Sequence, residues 1–403
     1  MLTRAAATSF RAAALIAVVD GTSIKMDFLP IGSARIDPLL NPTCLSDHVH
    51  TFYGAKASLR PETTYEDMRN ASENSGNTEE NMSLYWHPTV YMHDKVRGVY
   101  KMADIWFASS YYVWQTGQAT AFPNGFNMIA YGSHPKARSE AICDGPSPCE
   151  RDDCSSADDS FFPSTACAEL EAKLVFPTCW DGVNIRSDNM MDHVSYDVEE
   201  GRFDADCPAS HPVKLPEVHF YFRIKDYQGG EYVFSDGSST YHSDYFSGWD
   251  AVQLQRILDG CSNPSDAAMP DQFCETHLTF RQPKVSGVST EDDDIRSKLE
   301  EIHTVPNPDL RAIVSAEAID TIAAFPRGAC TGSLIPLDHV ATPLATPLTG
   351  RQQADGGNAS SAHSGGRQHA DSDTASSAPR LHGVPVPTLL VVSAALAPGL
   401  SSL

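Results

Sequence analysis

Between Met26 and Gln282 the chain is cut every few residues by Pro, Gly, Asn or Asp, and the pieces between the cuts are rich in β-branched and aromatic side chains. This punctuation limits the fold more than any other feature. A helix-built or strand–helix–strand body needs regular amphipathic stretches of ten residues or more, and this region lacks them. The runs Leu84 to Met92, Gly98 to Lys101, Tyr111 to Gln115, Gly125 to Tyr131, Glu217 to Ile224 and Tyr232 to Phe234 read as strands joined by turns. In Val218 to Ile224 apolar and aromatic residues run almost unbroken, as in a strand buried on both faces. One helix is predicted from Trp249 to Asp259, where Val252, Leu254, Ile257 and Leu258 give a helical spacing before Gly260. The expected fold is a mainly β body over 26–282, a two-sheet sandwich or jelly-roll-like arrangement with short helices.

The character changes after Gln282. Ser289 and Thr290, followed by acidic residues from Glu291 to Asp294, suit a helix start, and Ile295, Leu299 and Ile302 then share a face. A second helix is expected from Asp309 to Ala324. These two elements make a helical extension, 283–330, that either packs on the body or forms a stalk. Residues 331–378 read as a low-complexity stalk, since Gly, Ser, Ala and His dominate from Gly350 to Ala378 and cannot bury enough apolar surface to fold. Ser376, Ser377 and Ala378, the spacer Pro379 to Pro387 and the apolar tail from Thr388 follow the order of a GPI-attachment signal, with Ser376 as the attachment residue. At the other end, Arg4 and Arg11 precede a short apolar run closed near Gly21, the pattern of a secretory signal over 1–21.

Ten cysteines agree with an oxidising compartment. Cys143, Cys149, Cys154 and Cys167 crowd one Asp/Ser/Pro-rich stretch and are expected to form two local bridges; a zinc knuckle is the sharper alternative. Asn70, Asn81 and Asn358 carry N-glycan acceptor motifs, whereas Pro42 excludes Asn41. A net charge of −23 argues against nucleic acid as a partner, because phosphate backbones are held by clustered Lys and Arg. The expected location is secreted or cell-surface, with membrane contact only through the lipid anchor.

The residues that point to chemistry are Asp47, His48, Val49 and His50. Two histidines one residue apart share a face if the segment is extended, because strand side chains alternate. Later polar clusters are Cys179-Trp180-Asp181-Gly182 with Asp192 and His193, Cys207-Pro208 with Ser210 and His211, and Tyr241 to Phe246 with Trp249 and Asp250. Imidazoles and carboxylates are ordinary ligands of divalent transition metals. The preferred set is His48, His50 and His242 around one such metal, with His193 or Asp244 beside them as catalytic groups. The plainer alternative is that these histidines are hydrogen-bonded core or loop residues. A metal-free His–carboxylate base with Asp244 or Asp181 is a further alternative, and so is a paired-carboxylate glycosidase. The H-x-H also resembles strand one of amidohydrolase barrels, but that fold demands eight strand–helix alternations. The Trp and Tyr residues from Tyr85 to Trp114 and from Tyr241 to Trp249 serve either as core or as a platform for sugar rings.

Taken in order, these pieces resemble a known family, the fungal secreted family called domain of unknown function nineteen ninety-six, whose members sometimes carry cell-wall-associated WSC modules. The matching segments are Arg35-Ile36-Asp37-Pro38, Cys44 through His50 with Gly54, Tyr85-Trp86-His87-Pro88 with Tyr91, and Ala121 through Phe126 with Met128-Ile129-Ala130. They continue with Phe176 through Gly182 with His193-Val194, Cys207-Pro208 with His211-Pro212-Val213 and Leu215-Pro216, and His242, Asp244, Phe246 through Asp250 and Cys261. Together they span about residues 31 to 265. The resemblance implies a secreted domain and carries no activity with it. Family members usually place a cysteine pair just before the Tyr-Trp motif. Here 70–82 has none, and the segment from Cys143 to Cys167 looks like an insertion. The functional expectation is a metal- or histidine-dependent enzyme acting on cell-wall polysaccharide; the alternative is a non-catalytic carbohydrate-binding or structural surface protein.

Overall fold

The computed structural model describes residues 22–57, 59–144, 161–199, 205–261, 277–281, 292–303 and 319–325. The expected signal segment, stalk and anchor tail, and Asn358, lie outside these residues. Among them the chain is mainly β, with seventeen strands in four sheets.

Two five-stranded antiparallel sheets form the body. The first has the order β1 (Thr22–Phe28), β7 (Ala108–Trp114), β14 (Glu217–Tyr227), β10 (Cys167–Val175), β9 (Ser139–Asp144). The second has the order β2 (Gly32–Ala34), β3 (His50–Gly54), β4 (Leu84–Pro88), β16 (His242–Phe246), β8 (Asn127–Tyr131). Side-chain alternation gives each strand an inner row, and the two inner rows meet. Tyr85 stacks on Phe220 with ring centroids 5.2 Å apart, and Tyr53 meets the same ring at 5.4 Å. Several polar handles pair within this layer: the Tyr85 and Tyr112 hydroxyls lie 2.7 Å apart, those of Tyr112 and Tyr245 3.0 Å apart, and Trp249 Nε1 donates to Tyr112 at 3.1 Å. The body is thus a sandwich, and its antiparallel pairing excludes the amidohydrolase barrel.

The outer face of the second sheet carries its own core. Phe52, Leu84, Trp86, Ile129 and Phe246 are buried there under Ile36, Leu39, Leu59 and Met68, the last on the short helix α1 (Tyr65–Arg69). Two small sheets complete the set: β15 (Tyr232–Phe234), β5 (Val90–Asp94), β6 (Val99–Met102) and β17 (Thr321–Ile322), and β12 (Val194–Ser195), β11 (Cys179–Trp180) and β13 (Val213–Lys214).

Helix α2 (Ala251–Gly260) starts at Asp250, whose carboxylate accepts from Gln253 N at 2.9 Å. It buries Leu254, Ile257 and Leu258 and leaves Val252 exposed. Helix α3 (Asp292–Ile302) buries Ile295 and Leu299 against Phe107, so it packs on the body. Two secondary-structure expectations are corrected. The run Leu84 to Met92 is two strands in different sheets, divided where Thr89 N donates to Val49 O at 2.8 Å. The helix expected from Asp309 to Ala324 lies mostly outside the described residues, but Thr321–Ile322 is a strand, because its backbone pairs with Tyr100 and Lys101 on the open edge of β6.

Cys143–Cys167 and Cys179–Cys207 are disulfides. The first removes two of the four ligands of a zinc knuckle; Cys149 and Cys154 lie outside the described residues. Asn81 is corrected as a glycan acceptor. Its side chain is wholly buried, with Nδ2 donating to the Tyr85 hydroxyl at 3.1 Å and Oδ1 accepting from Ser83 N at 3.2 Å. The aromatic runs are mostly core: Tyr85, Trp86, Tyr91, Tyr112, Trp114, Tyr241, Tyr245 and Trp249 are buried, while Tyr100, Trp106 and Tyr111 are half-buried. Among the described residues no helix is long and apolar enough to cross a membrane.

Candidate metal centre

The register of the second sheet builds the site. His50 on β3 lies opposite Pro88 on β4, and His242 on β16 lies opposite Tyr131 on β8. Asp244 pairs with Trp86, which sets His242 level with Pro88 two residues away. One row therefore crosses four strands as His50, Pro88, His242 and Tyr131. The next row on the same outer face is Phe52, Trp86, Asp244 and Ile129. Pro88 has a compact ring, so the imidazoles on either side of it lean together: the His50 and His242 ring centroids are 6.3 Å apart, although strands two places apart are about 9.5 Å apart.

His48 precedes β3, yet the period of two still turns it to the side of His50 while Val49 is buried. Its ring stands 4.2 Å from His50 and 5.4 Å from His242. The ligating atoms of the three rings all lie within 4.8 Å of one another. A tetrahedral ion bound at about 2.0–2.1 Å needs nitrogens roughly 3.4 Å apart, inside the 4.8 Å that bounds this set.

The other ring nitrogens are already engaged. His50 Nδ1 is 2.7 Å from the Ile36 carbonyl and His48 Nδ1 is 2.6 Å from Asp47 Oδ1. Each acceptor places the proton on Nδ1 and leaves Nε2 as a lone-pair donor, as in metal sites where a carboxylate or carbonyl orients the imidazole. His48 Nε2 is buried and meets no hydrogen-bond partner. His242 Nδ1 stands 3.8 Å from Asp236 Oδ2. Burial, reinforced by His48 and His242, holds His50 well below the ordinary imidazole range; burial with His48 and His87 lowers His242 to about 3. These two rings are neutral near pH 7, which is the ligating form.

The trio opens on a cleft of about 580 Å³, to which His48, His242 and Asp244 all contribute. Asp244 Oδ2 is buried without a partner. Burial and the nearby Asp37 raise the Asp244 carboxyl well above the usual range. Tyr131 lies beside His242, at 5.3 Å between ring centroids, and its hydroxyl is pushed up to about 12 by burial and by Asp244, Asp37, Asp236 and Asp47 together.

His193 is not brought to the trio. Its Nε2 donates to the Asn127 carbonyl at 2.7 Å and its Nδ1 is 2.9 Å from Ser187 Oγ. Asn127 begins β8 and Tyr131 ends it, so about 13 Å of strand separates His193 from the row of His242. Its role is to fix the 187–193 loop. Asp181 likewise holds its own turn, accepting from Val183 N and Asn184 N. The sequence reading missed Tyr131 and Asp236. Tyr131 could have been found from its place at an outward position of β8; Asp236 sits in an ordinary-looking Asp-Gly turn, which carries no signal of a nearby histidine.

No curated protein and no solved structure matches the chain. The model of one family, Domain of unknown function (DUF1996), matches residues 37–249, more than half of the 403 residues and a span that holds all three histidines, so the chain belongs to that family.

Proposed function

We propose that His48, His50 and His242 hold one divalent transition metal, and that the protein acts outside the cell on cell-wall polysaccharide by hydrolysis or lysis. The observation that carries this reading is the convergence of three imidazoles with a buried, unpartnered Nε2 on His48. Three imidazole nitrogens are the ligand set of metal sites that keep a position open, and a metal so held can activate water or polarise a substrate oxygen. The Ile36 carbonyl and Asp47 hold the rings of His50 and His48 in their ligating tautomer. Asp244 lies on the cleft wall with an unpartnered carboxyl oxygen, placed to hydrogen-bond a substrate group beside the trio. The disulfides support the extracellular setting.

The test is metal analysis of the purified full chain after exposure to zinc, copper, manganese or iron salts and desalting, beside a His48→Ala/His50→Ala variant and a His242→Gln variant. Near-stoichiometric metal in the parent and loss in both variants, with circular dichroism showing retained β structure, is the expected result. Equal metal in parent and variants, or none in the parent, removes the reading.

A further inference from the structure

Two of the three imidazoles are held at Nδ1 by an oxygen, and the third is not. His50 Nδ1 meets the Ile36 carbonyl and His48 Nδ1 meets Asp47, at 2.7 and 2.6 Å. Among the described residues the ring of His242 makes no hydrogen bond. Its Nδ1 faces Asp236, with Oδ2 3.8 Å away. Asp236 in turn has no lysine or arginine partner among the described residues; its ionic contact is with His242.

The turn that carries Asp236, between β15 and β16, is closed by its own hydrogen bonds. Ser238 N and Ser238 Oγ donate to the two carboxylate oxygens at 2.8 and 2.9 Å. Gly237, at φ of +78°, donates to the Phe234 carbonyl at 2.8 Å, and Phe234 N donates to the Ser238 carbonyl at 3.1 Å. The residue before Asp236 is clipped to the histidine segment. Ser235 is fully buried, its N donates to the Thr89 carbonyl at 2.8 Å, and its Oγ donates to the Val49 carbonyl. Val49 is the residue between His48 and His50, and Thr89 N donates to that same carbonyl. The carboxylate is thus fixed relative to two histidines of the trio while it faces the third. An Asp-Gly turn needs no such clip to form.

We propose that Asp236 is the positioning residue of His242, its Oδ2 accepting the Nδ1–H of that ring and so turning Nε2 towards the metal. This rests on the reading of the trio as a metal centre. A charge-assisted bond of this kind is about 2.7–2.9 Å long, so the pair closes by about 1 Å. A carboxylate has about four acceptor sites, and Ser238 takes two of them. A ligating imidazole normally gives its other N–H to a carboxylate or carbonyl, which fixes its tautomer and orientation and raises its basicity. With Asp236 in this role all three rings have such an acceptor, and all three present Nε2.

The test is calorimetric titration of zinc(II) into the full chain and into its Asp236→Asn, Ser238→Ala and Asp259→Asn variants. Visible absorption of each cobalt(II)-loaded protein and urea unfolding of each metal-free one accompany it. Asp236→Asn keeps an oxygen for Ser238 N but loses the charged acceptor that faces His242. It is expected to bind zinc about tenfold more weakly or worse and to shift the cobalt bands, with urea stability close to the parent's. Ser238→Ala loosens the turn and keeps the carboxylate, so it should change zinc affinity far less and leave the cobalt bands in place. Asp259→Asn on α2 should match the parent. Parent-like zinc affinity in Asp236→Asn, a loss there without a cobalt shift, or an equal loss in Ser238→Ala marks a merely structural role. Each of these overturns the inference and leaves the metal centre standing. No zinc or cobalt bound by the parent removes the metal centre, and this inference with it.

Discussion

His87 shows how one side chain ties the fold to pH. It sits on the inner face of β4, stacked on Phe222 at 4.2 Å, with Nδ1 2.8 Å from the Pro88 carbonyl and Nε2 2.9 Å from the Tyr53 hydroxyl. Burial lowers it to about 3. In the unfolded chain it takes a proton near pH 6.5. Between those values the unfolded state binds more protons, so this group's stabilisation is whole above about pH 6.5 and declines as pH falls towards 3, by about 1.4 kcal/mol per pH unit. Urea unfolding of the parent and of His87→Phe should show the variant's stability falling less steeply over that window. A parallel pair of curves would mean that His87 is not held neutral. The two glycan motifs make a second contrast. When the chain is passed through a glycosylating secretory host, peptide mass analysis should find sugar on exposed Asn70 and none on Asn81. At this scale the H-x-H pair was legible because a period of two needs only local geometry. The separation of His193 from it was not, because the path of the 187–193 loop depends on the Asn127 carbonyl, distant in sequence.

Strand β3 carries His50 at one end and Gly54 at the other, and Gly54 has φ of +105°. A Cβ there would stand 1.8 Å from the Ser83 carbonyl oxygen on the chain leading into β4. Gly54→Ala must therefore strain the backbone and push β3 from β4, at a cost of about 3 kcal/mol or more. Thermal melts should show the loss, and metal binding should weaken with it, since the same strand places His50. The Cys179–Cys207 bridge encloses a separation of 28 residues, and its replacement by two serines should cost about 3–4 kcal/mol on the loop-entropy relation. Full stability in that variant would show that the small β11–β13 sheet is held by its packing alone. Strands such as β7, β14 and β15 were readable because breakers flank them. The division of Leu84 to Met92 was not, since Thr89 between two strand formers gives no local sign that the chain changes sheets.

Across the whole molecule, sandwich and site are coupled through the second sheet, whose inner face meets the first sheet and whose outer face holds the three histidines. A metal that binds only the folded state stabilises it by about 2.7 kcal/mol at a hundredfold excess over its dissociation constant. Scanning calorimetry should show the parent's melting temperature rising with added metal and that of His242→Gln staying fixed; a rise in both would place the metal elsewhere. The mainly β class was legible from punctuation and composition. The order of strands within each sheet was not, because pairing partners such as Asp27 and Ser109 lie 82 positions apart and nothing local records their encounter.

The hydroxyl contacts between the two large sheets have a mechanical consequence. Greasy faces slide over one another at small cost, since one methyl replaces another. The Tyr85, Tyr112 and Tyr245 hydroxyls do not allow this: they bridge the layers at 2.7 and 3.0 Å and would all part in a slip of a single residue pair. The interface is therefore keyed against shear as well as against separation, and a pulling force applied along the strands should meet a sharp yield point, with no gradual creep before it.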